Sequence, residues 1–295
     1  MATATTSARY LGLPLEKARV SNSLSTWYTP HMAAASRALL ERIPLVDFVV
    51  EVRDARIPLS SGCEYMRNFP SSQHMVVLNK MDLANGSQSK EWLKYFQEKN
   101  CICYGINSHN KGNIHEIGSH PNIYILDTPG VLPPQILDDE VCSKLALTGA
   151  ISDHLVGEYN LARYLLAIVN SSEEYKHWKM LMPKDDEICL VDKTQLSGRS
   201  ESVLKRKKVF HTDHTQDHIV RDVRRTLFET ISSFKGNLEV SSELDKLIEA
   251  QFVALSNPFH LSTEQEEKRR VLVAKKLLNL YRTGRLGRYT LDSIP

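Results

Sequence analysis

The sequence predicts an α/β protein, with a mostly parallel sheet in the first half and a helical, basic second half. Three observations predict it. Short apolar runs framed by turn residues recur at 45–53, 74–79, 101–106 and 122–127. A segment of helical period, 88–99, lies between the second and third of them. From about residue 139 the strand signal stops and helix-period segments take over. Strands that alternate with a helix and end in polar or Gly-rich residues argue for parallel pairing. Ligands of such sheets sit beyond the carboxyl ends of the strands.

The first run holds Phe48-Val49-Val50 between Pro44 and the polar Arg53-Asp54, as a buried strand would. HMVVLN at 74–79 repeats the signal. In 88–99, Trp92, Tyr95 and Phe96 fall at helical spacing. In 101–106, Cys101 and Cys103 alternate and so share one face. NIYILD at 122–127 is the last strand. Helices are predicted at 139–151, 158–171, 217–234, 241–255 and 263–283. Asp213, three residues before Gln216, reads as the N-cap of a capping box. The polar, basic stretch 183–209 reads as a linker. The expected division is a candidate organelle transit segment at 1–26, a sheet-bearing domain at 27–154 and a helical basic domain at 155–295.

Composition narrows the class. The chain has 295 residues, 42% hydrophobic and 24% charged, with a net charge of +2. That is ordinary for a soluble globular protein, and bulk charge does not identify a nucleic-acid binder. No apolar run approaches the 18 residues of a membrane span. The five cysteines form no CxxC pair and read as reduced thiols. Residues 1–26 are rich in Ala, Ser and Thr, with Arg9, Lys17 and Arg19 against the single acid Glu16. Such a leader fits an organelle transit peptide or a tail of no address, and composition does not separate the two.

Two motifs carry chemistry. Asn79-Lys80-Met81-Asp82 follows directly on a strand, as NKxD does in guanine recognition. The Asp82 carboxylate can accept two hydrogen bonds from the guanine N1–H and exocyclic amine, which adenine does not offer. Asn79 can bond the other edge, and the stem of Lys80 can lie along the ring. Asp127-Thr128-Pro129-Gly130 follows another strand, as a DxxG element does. Its Asp stands near Mg²⁺ and its Gly N–H on the γ-phosphate in phosphoryl-transfer proteins. Asn107-Ser108, after the strand at 101–106, sits where a guanine-edge loop belongs, although an ordinary turn uses the same residues.

The order of these elements is permuted. NKxD and the edge loop precede DxxG, whereas GTPases ordinarily run DxxG first. Asp54-Ala55-Arg56 matches the signature of the DAR family of circularly permuted GTPases, which the chain resembles over roughly 27–170. Trp27-Tyr28-Thr29-Pro30-His31-Met32 is similar to that family's leading W-x-P-G-H-M segment, with Pro30 displaced and the Gly absent. Leu147-Thr148-Gly149-Ala150-Ile151 resembles its segment after DxxG. The resemblance implies a P-loop-GTPase-like sheet, GTP and Mg²⁺ as ligands with Asp127 at the metal, and a role in maturation of the large ribosomal subunit. It implies that His31 positions water, and that Val131 stands where other GTPases carry a catalytic Gln. Among relatives of this kind the mitochondrial branch fits the leader, with chloroplast and cytoplasm as alternatives.

One family element is missing. A P-loop, G-x-x-x-x-G-K-S or similar, belongs between the edge loop and DxxG, yet the chain has no Gly-Lys dipeptide. Only residues 109–126 lie between Ser108 and Asp127, and the junction near Ile117-Gly118 has the look of a deletion. Without the P-loop, NKxD grips only the base, since several charge-assisted bonds of about 1.5–3 kcal/mol each are lost. GTP hydrolysis is then doubtful, and the sheet lacks its central strand. The expected alternatives are a catalytically dead ribosome or rRNA binder and an unstable isoform.

Basic clusters recur late: Lys205-Arg206-Lys207-Lys208, Arg221 with Arg224-Arg225, Lys268-Arg269-Arg270, Lys275-Lys276, and Arg282, Arg285 and Arg288. They suit either phosphate contacts with rRNA, with Tyr281 and Tyr289 placed to stack on bases, or a solvated helix face. His211, His214 and His218 read as a polar helix start rather than a metal site.

Overall fold

The computed structural model describes residues 30–63, 66, 70, 73–110, 127–128, 130, 138–181, 214–262 and 265–295. The transit segment, Trp27–Thr29, the Ile117-Gly118 junction, the strand at 122–127 apart from Asp127, Val131, and the 183–209 linker with its lysine cluster lie outside them. So do Cys189, His211 and the Asp213 cap.

Three parallel strands form the sheet in the order β1 (Val49–Asp54), β2 (His74–Asn79), β3 (Ile102–Gly105). Helix α2 (Gly86–Glu98) connects β2 to β3, the crossover that a parallel pair requires. Asn85 caps it, its side chain accepting from the backbone of Ser87 and Gln88. The first strand starts at Val49 rather than 45, because Ile43–Leu45 around Pro44 form a 3-10 turn instead. That turn ends helix α1 (Pro30–Arg42), which has no counterpart among the sequence expectations. Only Ser36 of α1 is buried, so its alanine run carries no apolar stripe to read.

The two faces of the sheet differ. On one, Val76, Leu78 and Cys103 pack against Trp92 and Phe96 of α2. Glu51 and Arg53 share that face by alternation. Buried Glu51 accepts from Arg53 Nη2 at 2.7 Å and the Cys63 N–H at 2.6 Å, and meets His74 Nε2 at 3.0 Å. Burial pushes its carboxyl up, but His74, Arg53 and the Cys63 amide outweigh it and bring it down to about 2. On the other face, Val77 at the centre is buried, while the flanking Val50, Val52, Ile102 and Tyr104 are 50%, 62%, 41% and 51% exposed. Parallel sheets are normally covered on both faces. Among the described residues β1 pairs only with β2.

The helical part has its own core. Helices α3 (Asp139–Thr148), α4 (Glu158–Ser171), α5 (His214–Ser233), α6 (Ser241–Ala254) and α7 (Glu266–Arg282) bury one continuous apolar cluster that includes Leu145, Leu165, Leu227, Leu247 and Leu277. The C-terminal segment stitches this part to the sheet. Leu291 N–H donates to the Arg56 carbonyl at 2.7 Å. The Asp292 carboxylate accepts from the Leu59 and Ser60 amides, both at 2.8 Å, and meets Lys144 Nζ at 3.2 Å.

Candidate functional site

Parallel pairing brings the carboxyl ends of β1, β2 and β3 to one rim. The register sets Asp54 beside Asn79 and Leu78 beside Gly105. The residues that leave those ends are the ones the motifs single out.

Asn79 is the hinge of the rim. Its side-chain oxygen accepts from the Lys80 N–H at 2.8 Å and the Ser108 N–H at 3.1 Å, so it binds the 79–82 loop to the 107–108 loop. The Met81 N–H donates to the Ile106 carbonyl at 3.2 Å, a second bond between the loops. Met81 lies against Gly105, where an added Cβ would stand 2.9 Å from its Cε. Lys80 has φ +63°, an unusual conformation for a residue with a side chain. Asn107 accepts the His109 N–H at 2.9 Å and shapes its own turn. The half-buried Asp82 makes no hydrogen bond or ion pair among the described residues.

Asp54 enters the rim from β1. Its Oδ2 accepts from Lys80 Nζ at 3.0 Å and from Arg56 Nη2 at 2.7 Å. Its Oδ1 accepts from Arg56 Nε at 3.0 Å and the Arg56 N–H at 2.9 Å. Burial raises this carboxyl, but the bonds and charge of Arg56, with Lys80, hold it net below the usual carboxylate range. Burial also works against the Arg56 charge, and Asp54 more than restores it. Sequence reasoning gave Asp54 no place in the base site. The signal was available, since β1 must end at the same rim as its parallel neighbours.

The other expected residues do not join this group. Asp127 and Gly130 are exposed, and nothing lies within 4 Å of a Cβ built on Gly130. His31 is exposed in the first turn of α1, with no described contact to the 79–82 loop. Among the described residues no group of three metal-ligating side chains occurs.

The late basic residues divide. Arg282 donates to the Leu147 and Ala146 carbonyls and pairs with Asp153. Arg270 pairs with Glu249 and Glu266, and Lys275 with Glu158. Arg224 donates to the Arg285 carbonyl, which sets the basic run of α5 beside the C-terminal loop. Arg221 and Arg288 are exposed there. Tyr281 and Tyr289 are not available for stacking on bases: both are buried in the helical core. No helix among the described residues is long and apolar enough to cross a membrane.

No family model matches the chain. It is 42% identical to DAR GTPase 2, mitochondrial, of Arabidopsis thaliana, over all of this chain and 97% of that protein. It is 32% identical to Short integuments 2, mitochondrial, of the same plant, over 91% of this chain and 89% of the other. Ribosome biogenesis GTPase A of Bacillus cereus is 25% identical over 75% of this chain and 99% of its own length. A solved structure, GDP-bound YlqF, is 17% identical over 87% of this chain and 98% of its own, with a TM-score of 0.48. The first alignment runs over 372 positions against the 295 residues here, so at least 77 positions of that relative have no counterpart. Because it covers this chain from end to end, those positions fall inside it.

Proposed function

The chain belongs to the DAR GTPase family, and from that premise we propose a guanine-binding protein of mitochondrial large-subunit assembly that recognises the base but has lost the phosphate cradle. The observation that carries this reading is the rim itself. Asn79 bridges the two base loops, while the Asp82 carboxylate has no hydrogen bond or ion pair among the described residues. A half-buried carboxylate without a partner favours a ligand with two adjacent N–H donors, which guanine supplies. The Ser108 amide, bonded to Asn79, places the neighbouring loop at the same rim.

The residues present fit the base and do not fit the phosphates or Mg²⁺. Gly130 stands in open space, Asp127 is exposed, and no group of three metal-ligating side chains occurs among the described residues. The absence of a Gly-Lys pair supports the same division, as do the 77 or more positions of the relative without a counterpart here. No hydrolytic step is therefore assigned to His31. The 27–154 segment is read as an incomplete, circularly permuted GTPase domain, and the 155–295 segment as the ribosome-facing part. The relatives named mitochondrial favour that organelle, with residues 1–26 as its address.

Titration with guanosine, GDP and GTP, each with and without Mg²⁺, tests the reading. Affinity is expected to change little with the number of phosphates and to fall at least tenfold in Asp82→Asn. GTP binding a hundredfold tighter than guanosine in Mg²⁺ would refute the lost cradle.

A second reading, rRNA binding that needs no nucleotide, is favoured by the exposed basic residues where α5 meets the C-terminal loop. Arg221→Ala with Arg288→Ala is expected to weaken rRNA binding at low salt and to flatten its salt dependence. Binding unchanged by the pair would remove this face from consideration.

A further inference from the structure

The Asp54 carboxylate holds two cations that belong to different parts of the molecule. Lys80 comes from the base loop, and Arg56 reaches into the helical part. Arg56 is only 2% exposed. Its Nη2 also donates to the Thr148 carbonyl at 3.0 Å, the last carbonyl of α3, and its guanidinium stands 5.7 Å from the centre of the Tyr281 ring on α7. The two carbonyls before Thr148 are taken by Arg282 of α7, which is fixed in turn by Asp153. A continuous chain of charge-assisted bonds thus runs from Lys80 to the end of α3 and on to α7.

We propose that Asp54 is a positioning residue for Lys80, and that Asp54 and Arg56 couple guanine occupancy of the base loop to the packing of α3 and α7. The argument rests on the base-site reading above. Lys80 is held in a left-handed conformation with its ammonium on Asp54. In that pose its stem is fixed before the base arrives, which lowers the ordering cost of binding. A base laid along the stem further restricts Lys80, and the restriction passes through one carboxylate to Arg56. Coupling is reciprocal, so firm docking of α3 and α7, for instance against a ribosomal partner, tightens the base site by the same factor. A tie that served only to join the two parts would need Arg56 and Thr148 but not Lys80.

Hydrogen exchange of the full chain, with and without saturating guanosine, reads both ends at once. In the native protein, guanosine is expected to slow exchange at 79–82 and also, at least threefold, at 145–149 and 279–283. In Asp54→Asn the guanosine Kd is expected to rise about tenfold, in line with the loss of a charge-assisted bond. The slowing at 145–149 and 279–283 should vanish while that at 79–82 persists. Lys80→Met leaves the Arg56 tie untouched and keeps a stem for the ring, so it serves if Asp54→Asn does not fold. It too should bind guanosine and lose the distant slowing. Native protein that binds guanosine without distant slowing overturns the coupling alone. So does either variant that keeps the distant slowing. Native protein that binds no guanosine, and behaves as Asp82→Asn does, overturns the base site and the coupling together.

Discussion

A carboxylate in the middle of a parallel strand has to be neutralised where it stands, and Glu51 meets that requirement with Arg53, His74 and the Cys63 amide. Its carboxyl sits at about 2, against 4.5 for an ordinary Glu. The stabilisation is therefore complete above about pH 4.5 and is lost as pH falls toward 2. Urea unfolding at stepped pH should show the midpoint falling across that window. Glu51→Gln should flatten the acid dependence and cost about 3 kcal/mol at neutral pH, because Arg53 is left buried without its partner. Nothing in FVVEVR announces this network, since periodicity reports burial and not who neutralises whom. The place of the neighbouring Asp54 at the rim was legible from the parallel pairing, but the two cations it holds were not. Asp82, by contrast, was legible from its motif. Asp82→Asn should leave the melting temperature within about a degree, as nothing described depends on that carboxylate.

At the level of elements, α3 shows how a helix end becomes a junction. Gly149 ends it at φ +80°, a left-handed cap that suits glycine, and the Ala150 N–H returns to the Leu145 carbonyl. Arg56 and Arg282 take the carbonyls that remain. Gly149→Ala should cost about 1–2 kcal/mol in urea unfolding, the strain of a Cβ in that conformation. Most elements were legible from period alone: β2 and α4 match their expected bounds of 74–79 and 158–171, and α6 ends one residue early. The misses have causes. Helix α1 lacks an apolar stripe, and the strand at 45 yields to a proline turn. Tyr281 and Tyr289 carry hydroxyls and sit among arginines in the sequence, which made buried rings look like surface ones.

Among the described residues two cores are joined by the C-terminal segment and by Arg56, which reaches α3 and α7. Because Leu291 and Asp292 bond to the 56–60 segment, removal of 289–295 should expose that segment to limited proteolysis and lower the melting temperature. The sequence lacks the Gly-Lys dipeptide of a P-loop, but it did not show which apolar side chains would stand exposed. Those are Val50, Val52, Ile102 and Tyr104, which flank the buried Val77. Val50→Thr with Val52→Thr should reduce light scattering of concentrated protein without lowering the melting temperature, since neither valine is covered. Exposed apolar side chains grouped on one face invite contact with another chain. Folding proceeds at a rate independent of how many chains are present, whereas encounters between two such faces rise with the square of their number. Doubling the concentration of this protein is therefore expected to quadruple the rate of any self-association through those exposed side chains.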